Sequence, residues 1–456
     1  MNRIYHALLF LLILSFPGGS NYLSITLPLG SVFLFRVALV LSLIVLIWKK
    51  KIVFFEGYFT KTMMLILLFW LGYGLLGFLW APQLSAALKD WLNLLKGALI
   101  FLLVVSLAKE VKDGLSAIGK YWFVSLILVL LIAWYEFYFN QHLKSHFTDL
   151  LMTLKTYRST HKNLISVFSG PNELSVFLVL SLPFMLLSFK RNMFLDVLLV
   201  ITTVYLIWLN DSKIVMLALW LEFLVVALVM RKQIYETVVN FGKSNTTIVV
   251  SITTVVLFFS VLVQGDFSAY PEKGRESGMI DSISDDINAV LSSASGGRWT
   301  DGHFSRTMSS RKIRTALIKN GLHFTKDSYL MGTGPGGFMV KMGSADRVYF
   351  ADNFVNPHAW WIEILSQYGA IVFLLYFGWM VYLLWYLFQS SLHSGKNSLP
   401  SIRLIGFCAS FTLAYLLCSN SSSSFMALPI NWISLAIIAI SADKLRENKS
   451  LEAHEA

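Results

Sequence analysis

Residues 121–139 read YWFVSLILVLLIAWYEFYF, and Glu136 is the only charged residue among them. A helix that crosses the hydrocarbon core of a bilayer needs about 20 predominantly apolar residues, and this run has that length. Similar runs recur through the 456-residue chain, in which 56% of residues are hydrophobic and only 14% are charged. The sequence therefore predicts an all-α polytopic membrane protein.

About twelve membrane helices emerge when such apolar windows are marked along the chain. Helices one to nine fall in residues 1–264, a large extracytoplasmic loop covers 265–357, helices ten to twelve follow in 358–442, and 443–456 form a tail. The predicted spans cover approximately residues 4–20, 30–48, 62–80, 90–108, 121–139, 171–189, 193–209, 213–230, 247–264, 369–388, 402–419 and 425–442.

Lysine and arginine are unevenly distributed between the connecting loops. With a cytoplasmic N-terminus, the inner loops carry basic clusters such as 49–51 and 190–191. The short outer loops contain neither residue type, and these are 81–87, 210–212 and 419–424. Because cytoplasmic loops are enriched in Lys and Arg, we predict a protein of the cytoplasmic membrane with both termini inside.

The outer segment 265–357 is too long for a simple connector. Its part from 266 to 297 is acidic and rich in serine, whereas 298–347 is basic. The cations of the second part are Arg298, Arg306, Arg311, Lys312, Arg314, Lys319, Lys326, Lys341 and Arg347. This composition indicates an anionic ligand at the outer face.

Charge and cysteine content exclude several other classes of protein. The formal net charge of +11 is also what basic loops beside membrane spans produce, so charge alone does not indicate a nucleic-acid partner. Because the composition is that of a membrane protein, we predict none. Cys408 and Cys418 are the only cysteines and lie in one apolar stretch. We therefore predict no disulfide framework, no cysteine-based metal site and no redox cofactor.

Two arginines of the loop, Arg311 and Arg314, are three residues apart and share a face if the segment is helical. Ile313, Ala316 and Leu317 then face the other way. Two planar guanidinium groups pointing together suit a lipid-linked diphosphate at the membrane edge. The alternative is a solvated helix face or an anchor to anionic lipid headgroups.

The helix is predicted to end at Asn320-Gly321, a sequence typical of a C-cap. The following stretch from Gly332 to Phe338 has four glycines in seven residues. It lacks the βαβ context of a dinucleotide site. It forms either a tight turn with a structural role or a close backbone approach to a ligand or the membrane.

The stretch 356–369, NPHAWWIEILSQYG, lies where the predicted outer loop returns to the membrane. His358 is followed by a tryptophan pair, which is typical of interface depth, and Glu363 falls in apolar sequence. A histidine exchanges a proton near physiological pH, so His358 is a candidate base. The alternative is a polar helix cap.

Weaker signals lie on the same predicted outer side. Lys213 follows a tight turn between two spans, and Asn172 opens another span after Gly170-Pro171. Arg158 and Lys162 come shortly before that span. Each is a candidate for binding an anionic substrate, and each is also a common type of helix cap or membrane anchor.

Taken in order, these motifs over residues 155–388 resemble the O-antigen ligase and polysaccharide polymerase family, most closely the Gram-positive members associated with teichuronic acid synthesis. The matching features are a span opening with Pro171-Asn172, a basic residue after serine at Lys213, a loop arginine before a glycine-rich turn, and His358 with Gly369 eleven residues later.

The resemblance implies a metal-independent membrane glycosyltransferase that takes a glycan from a polyprenyl-diphosphate-linked oligosaccharide and transfers it to a growing glycan acceptor. It implies that Arg314 binds the carrier diphosphate and that His358 is the family histidine. Lys213 stands where arginine is usual, which puts its role in doubt, and Ala359 replaces the polar residue usual in ligases. The Ala359 departure favours a polymerase, working in the lipid bilayer with other polysaccharide-assembly membrane proteins.

Three alternatives remain open at the level of sequence. The first is transfer of the glycan to a different acceptor, as an O-antigen ligase does. The second is a transporter or flippase of lipid-linked oligosaccharides, since about twelve spans is a common transporter count. Transporters usually keep their functional charge near the bilayer midplane, whereas the polar residues of this chain are concentrated in one outer loop, which counts against this alternative. The third is a scaffold without chemistry of its own.

Overall fold

The computed structural model describes residues 2–19, 24–27, 30–139, 141–143, 164–187, 193–231, 310–351, 353–392, 398–422 and 424–455. These residues are helical apart from turns and one short antiparallel hairpin, which pairs Ser24–Leu27 with Gly30–Phe33. The helices are Asn2–Ser15, Leu34–Trp48, Tyr58–Leu76, Leu84–Glu110, Gly114–Phe139, Pro171–Ser181, Met193–Leu209, Lys213–Val229, Ser310–Asp327, Gly337–Met342, Trp360–Leu392, Leu399–Cys418 and Pro429–Glu455. Short 3₁₀ turns follow two of them at Gly77–Leu79 and Leu182–Leu186.

Five helices in the described part of the chain are long and apolar enough to cross a membrane. They are Tyr58–Leu79 with its 3₁₀ turn, Leu84–Glu110, Gly114–Phe139, Trp360–Leu392 and Leu399–Cys418. Every predicted span except 247–264, which lies outside the described residues, overlaps a helix. The fold is that of a polytopic helical membrane protein, while the number of twelve spans stays a prediction.

The hairpin changes the start of the second predicted span. That span was expected from residue 30, but the helix begins only at Leu34 because Gly30–Phe33 pairs with Ser24–Leu27. Ile25, Thr26 and Val32 are β-branched residues, which favour strands over helices. An apolar window does not distinguish a short strand from the first turn of a helix.

The loops that were predicted to share the cytoplasmic side meet at one end of the helices. Ion pairs join them there, and these are Lys51 with Glu110, Lys109 with Glu56, and Lys444 with Asp113. Asp443 also accepts hydrogen bonds from the backbone N–H groups of Phe59 and Thr60 at 2.8 and 3.0 Å. This carboxylate thus caps the first turn of the Tyr58–Leu76 helix.

The turns that were predicted to lie outside meet at the other end. The Leu164 N–H donates to Asn210 Oδ1 at 3.0 Å, the Ser212 hydroxyl donates to Asn172 Oδ1 at 3.2 Å, and the Trp360 N–H donates to the Ser419 carbonyl at 3.3 Å. This segregation is the one that the topology prediction requires. Which end faces the cytoplasm stays a prediction.

A cluster of buried aromatic rings ties together three membrane helices below that second end. The Trp70 ring lies 5.8 Å from Trp360, 5.4 Å from Tyr368, 5.9 Å from Tyr376 and 6.3 Å from Trp432, measured between ring centroids. Edge-to-face and tilted pairs at such distances stabilise a core beyond simple area burial. The packing fixes the Trp360–Leu392 helix against the Tyr58–Leu76 and Pro429–Glu455 helices.

The Trp360–Leu392 helix, called the kinked helix below, is broken at Gly369, where the backbone has φ 77° and ψ −179°. The break leaves backbone groups that the glycine-rich turn satisfies. Thr333 N–H donates to Ser366 O at 2.8 Å, Gly334 N–H donates to Gln367 O at 3.0 Å, and Ala370 N–H donates to Leu330 O at 2.8 Å. The turn 332–337 therefore has the structural role, since it is buried against protein backbone.

The same contacts correct the boundary predicted for the tenth span. It was expected to begin at Gly369, whereas the helix begins at Trp360 and resumes after the glycine. A β-carbon at Gly369 would lie 2.5 Å from the Leu330 carbonyl oxygen, so the residue must be glycine for space as well as for its positive φ.

We predict that Gly369→Ala lowers the free energy of unfolding by about 2 kcal/mol or more, from left-handed backbone strain plus the clash with Leu330. Gly378→Ala is the matched control, because Gly378 lies in the same helix and a β-carbon there meets nothing within 4 Å. Gly378→Ala should leave stability unchanged or raise it by up to about 1 kcal/mol. Thermal unfolding of the purified protein in detergent measures both, and equal midpoints for the two variants would contradict the prediction.

Candidate functional site

A cavity of about 150 Å³ opens at the end of the helices where the predicted outer turns meet. Four parts of the chain form its wall. They are the Ser310–Asp327 helix, called the loop helix below, the start of the kinked helix with the residues before it, the start of the Lys213–Val229 helix, and the turn after the Leu399–Cys418 helix. The lining residues are Ile214, Arg314, Thr315, Ile318, Lys319, Pro357, His358, Ala359, Trp361 and Asn420.

The loop helix presents one face to the cavity and another to a small core of its own. Arg314, Thr315, Ile318 and Lys319 have the i, i+1, i+4, i+5 spacing of a single stripe. Ile313, Ala316 and Leu317 are buried in a cluster with Phe324, Phe338 and Met342. The predicted amphipathic helix is thus present, with its apolar side packed as expected.

The predicted end of this helix at Asn320-Gly321 is wrong, because the helix continues to Asp327. Asn320 is fully buried, and its Oδ1 accepts from the backbone N–H groups of Val348 and Tyr349, both at 3.0 Å. Gly321 allows close packing, since a β-carbon there would lie 2.5 Å from Ile362 Cγ2. Both residues serve tertiary contacts, which override their local preference for a helix end.

His358 sits in the left-handed region with φ 51°, two residues before the kinked helix begins. Its ring makes an edge contact with Phe354 at 5.7 Å between centroids. Burial in the cavity, and then the nearby positive charge of Arg314, lower the pKa of His358 from 6.5 to about 4. The imidazole is consequently neutral at physiological pH and has a free nitrogen lone pair.

Arg314 and His358, the two predicted catalytic residues, thus line one cavity. Arg311 lies one turn earlier on the loop helix and is not among the residues that line it. Lys213 is exposed, while its neighbour Ile214 reaches the cavity wall. Asn172 accepts the hydrogen bond from Ser212 and so supports the turn before Lys213.

Some predicted features lie outside the described residues. These are the substrate-binding candidates Arg158 and Lys162, the acidic segment 266–297 and the start of the large loop. Among the residues that the structure does describe, no group of three or more His, Cys, Asp or Glu side chains could hold a metal ion.

Two cavity residues, Lys319 and Asn420, were not recognised from sequence. Lys319 is buried, its Nζ lies 5.5 Å from the centre of the Tyr349 ring, and only its five-residue spacing from Arg314 could have indicated that it shares the cavity face. Asn420 sits in the Ser419–Ser424 turn, whose sequence carries no recognisable motif.

Glu363 secures the segment that follows this turn. Its carboxylate accepts hydrogen bonds from the Ser424 hydroxyl at 2.6 Å, from the Phe425 N–H at 3.1 Å and from the Met426 N–H at 3.5 Å. Glu363 is buried, and these donors are what such a position requires. The acidic residue in apolar sequence is therefore a structural link from the kinked helix to the turn that carries Asn420.

Comparison with known proteins bears on this arrangement. Residues 176–377 match the family model of O-antigen ligase. The matched region includes Arg314, Lys319 and His358, and Asn420 lies beyond it.

The chain is also 24% identical to the teichuronic acid biosynthesis protein TuaE of Bacillus subtilis (strain 168), over an alignment that covers 98% of this chain and 86% of the relative. The resemblance stated from the sequence motifs is thereby confirmed: the chain is similar to the O-antigen ligase family model over residues 176–377 and to a teichuronic acid biosynthesis protein over most of its length.

We predict that the His358 ring stays neutral at pH 5.5, where an imidazole of ordinary pKa is about nine-tenths protonated. NMR of the protein with ¹³C-labelled histidine measures this, and the His358→Asn spectrum identifies the signal. Arg314→Gln removes a repelling charge, so the pKa of His358 should rise toward 6.5. Lys326→Gln, at an exposed site on the same helix, should leave it unchanged. A His358 signal that titrates near 6.5 in the unaltered protein would overturn the assignment.

Proposed function

We propose that this protein is a membrane glycosyltransferase that polymerises a cell-surface polysaccharide of teichuronic-acid-like or O-antigen-like repeat units. The donor is a polyprenyl-diphosphate-linked oligosaccharide on the outer face of the cytoplasmic membrane, and the acceptor is a growing glycan. The observation that carries the proposal is the cavity in which Arg314 and Lys319 lie with a neutral His358 at one end of the membrane helices.

The two cations suit the diphosphate of the donor. Arg314 offers a planar fork of donors that matches phosphate oxygens bidentately, and Lys319 adds a point charge five residues along the same helix. When the anomeric C–O bond of the donor breaks, its electron pair stays on the diphosphate. Cations fixed beside that oxygen stabilise the transition state because the negative charge develops there.

His358 is positioned to act as the general base. The acceptor hydroxyl oxygen forms the new bond to the anomeric carbon, and His358 takes the hydroxyl proton as the bond forms. A pKa of about 4 in the free cavity keeps the ring unprotonated before substrate binds. The negative diphosphate then favours the protonated ring, so His358 can hold the proton until the product leaves.

The other walls of the cavity fit a lipid-linked substrate. Ile214, Ile318 and Trp361 provide apolar surface beside the cations. Trp361 lies in the first turn of the kinked helix, and tryptophan is enriched at the depth where acyl chains meet water. The first carbons of a polyprenyl chain could remain in the bilayer while its diphosphate reaches Arg314.

Ligation to a different acceptor remains the second candidate, because the match over residues 176–377 is to O-antigen ligase. Both reactions use the same donor chemistry and differ in the acceptor. Ala359, which lines the cavity beside His358, provides no polar group for a distinct acceptor, and the family resemblance associates this with polymerases. The name of the Bacillus relative, a teichuronic acid biosynthesis protein, supports cell-surface glycan assembly.

The test is reconstitution of the purified chain in liposomes with lipid-linked repeat units extracted from producing cells, followed by measurement of product length. We predict that His358→Asn, which tolerates the left-handed backbone, lowers the rate by about 100-fold or more. Arg314→Ala should lower it at least as far. EDTA should have no effect on the rate.

Matched controls on the loop helix are His323→Asn and Lys326→Ala. His323 pairs with Asp327 on the outer part of the helix, and Lys326 is exposed; both variants should retain the normal rate. Normal chain growth by His358→Asn would disprove its role as the base. Movement of substrate across the vesicle membrane without a covalent product would identify a transporter.

A further inference from the structure

Asn420 lines the cavity and has an unused hydrogen-bond acceptor. Its Nδ2 donates to the carbonyls of Leu416 and Leu417 at 3.0 and 3.4 Å, which satisfies the end of the Leu399–Cys418 helix. Its Oδ1 is buried and accepts no hydrogen bond from any described residue. The amide orientation is fixed by the two carbonyls, because a flipped amide would place oxygen against oxygen.

The turn that carries Asn420 is held in place from several sides. The Ser419 carbonyl accepts from the Trp360 N–H at 3.3 Å, and the Ser421 and Ser212 hydroxyls are 3.4 Å apart. Glu363 binds the Ser424 hydroxyl at 2.6 Å. These links leave Asn420 in a preformed position in the wall that also contains Arg314 and His358.

The unused atom restricts the chemistry of its partner. A buried acceptor without a partner costs about 1–3 kcal/mol, and its partner must be a donor. An ionised diphosphate has only acceptor oxygens, and the nearby cations are the groups suited to it. A sugar hydroxyl can donate, and hydroxyls are the main hydrogen-bond donors of a glycan.

We infer that Asn420 Oδ1 accepts a hydrogen bond from a sugar hydroxyl of the lipid-linked donor. The cavity then has two parts: Arg314 and Lys319 bind the diphosphate, and Asn420 binds and orients the first sugar. This inference rests on the proposed function and adds a glycan-binding residue beyond the segment that matches the family model.

Binding measurements with two lipids test the inference without relying on turnover. The probes are undecaprenyl diphosphate and the same carrier bearing an oligosaccharide, titrated against the full-length protein in nanodiscs. Asn420→Ala should weaken binding of the glycosylated lipid roughly three- to tenfold, as expected for one neutral hydrogen bond. It should leave the affinity for undecaprenyl diphosphate unchanged, whereas Arg314→Ala should weaken binding of both lipids.

Ser419→Ala is the matched control for damage to the turn. The Ser419 hydroxyl donates to the Leu416 carbonyl at 2.8 Å, the same carbonyl that Asn420 uses, but Ser419 does not line the cavity. This variant should leave both affinities unchanged. A thermal midpoint measured for each variant confirms that all of them are folded.

The outcomes separate the two proposals. Failure of the unaltered protein to bind either lipid would overturn the proposed function itself. Selective binding by the unaltered protein with full affinity for the glycosylated lipid in Asn420→Ala would overturn only the role of Asn420. An equal loss for both lipids, or the same loss in Ser419→Ala, would also overturn it, since Asn420 would then act through the turn.

Discussion

A helix that breaks inside a membrane protein must find hydrogen-bond partners for the backbone groups that it frees, because lipid offers none. At Gly369 these partners come from the backbone of residues 330–334. The docking is specific on both sides, since positive-φ glycines at 332 and 369 approach each other's backbone at distances that exclude a β-carbon. The position of the large loop on the membrane helices follows from this constraint.

The contact between residues 330–334 and the break at Gly369 also positions the two helices that form the site, which are the loop helix and the kinked helix. The docked segment begins just after the loop helix, which carries Arg314 and Lys319, and the break ends the helical stretch that begins just after His358. Close packing of Gly321 against Ile362 joins the two elements a second time, nearer to the cavity. Arg314 and His358 are more than forty positions apart in sequence, and packing of the backbone around them brings them to the same cavity. Burial in the cavity, and then the positive charge of Arg314, lower the pKa of His358 and keep its ring neutral.

Prediction from sequence succeeded where the signal is local. Apolar length located the spans, the three-residue spacing of Arg311 and Arg314 located an amphipathic helix, and motif order located His358. Prediction failed where contacts between distant parts of the chain determine the local structure. Asn320-Gly321 has the composition of a helix end but is used for packing, and residues 30–33 are apolar yet pair as a strand.

Because tertiary contacts determine the cavity, the sequence predicted only some of the residues that line it. Asn420 enters it because Glu363, Trp360 and Ser212 fix the turn around it, and no spacing within 419–424 records those partners. Arg311, which the spacing argument paired with Arg314, lies outside the cavity lining because the helix approaches the membrane domain through its second and third turns.

The size of the cavity limits what this site can recognise. At about 150 Å³ it is smaller than the roughly 300–1,000 Å³ pockets that enclose a drug-sized ligand. In the reaction proposed above, it would hold only the reacting end of the donor, close to the diphosphate. Cations that bind a diphosphate treat every carrier-linked glycan alike, so they provide catalysis without selecting the sugar. Selection must then come from contacts with the glycan, and within the cavity Asn420 is the residue whose free acceptor suits that task.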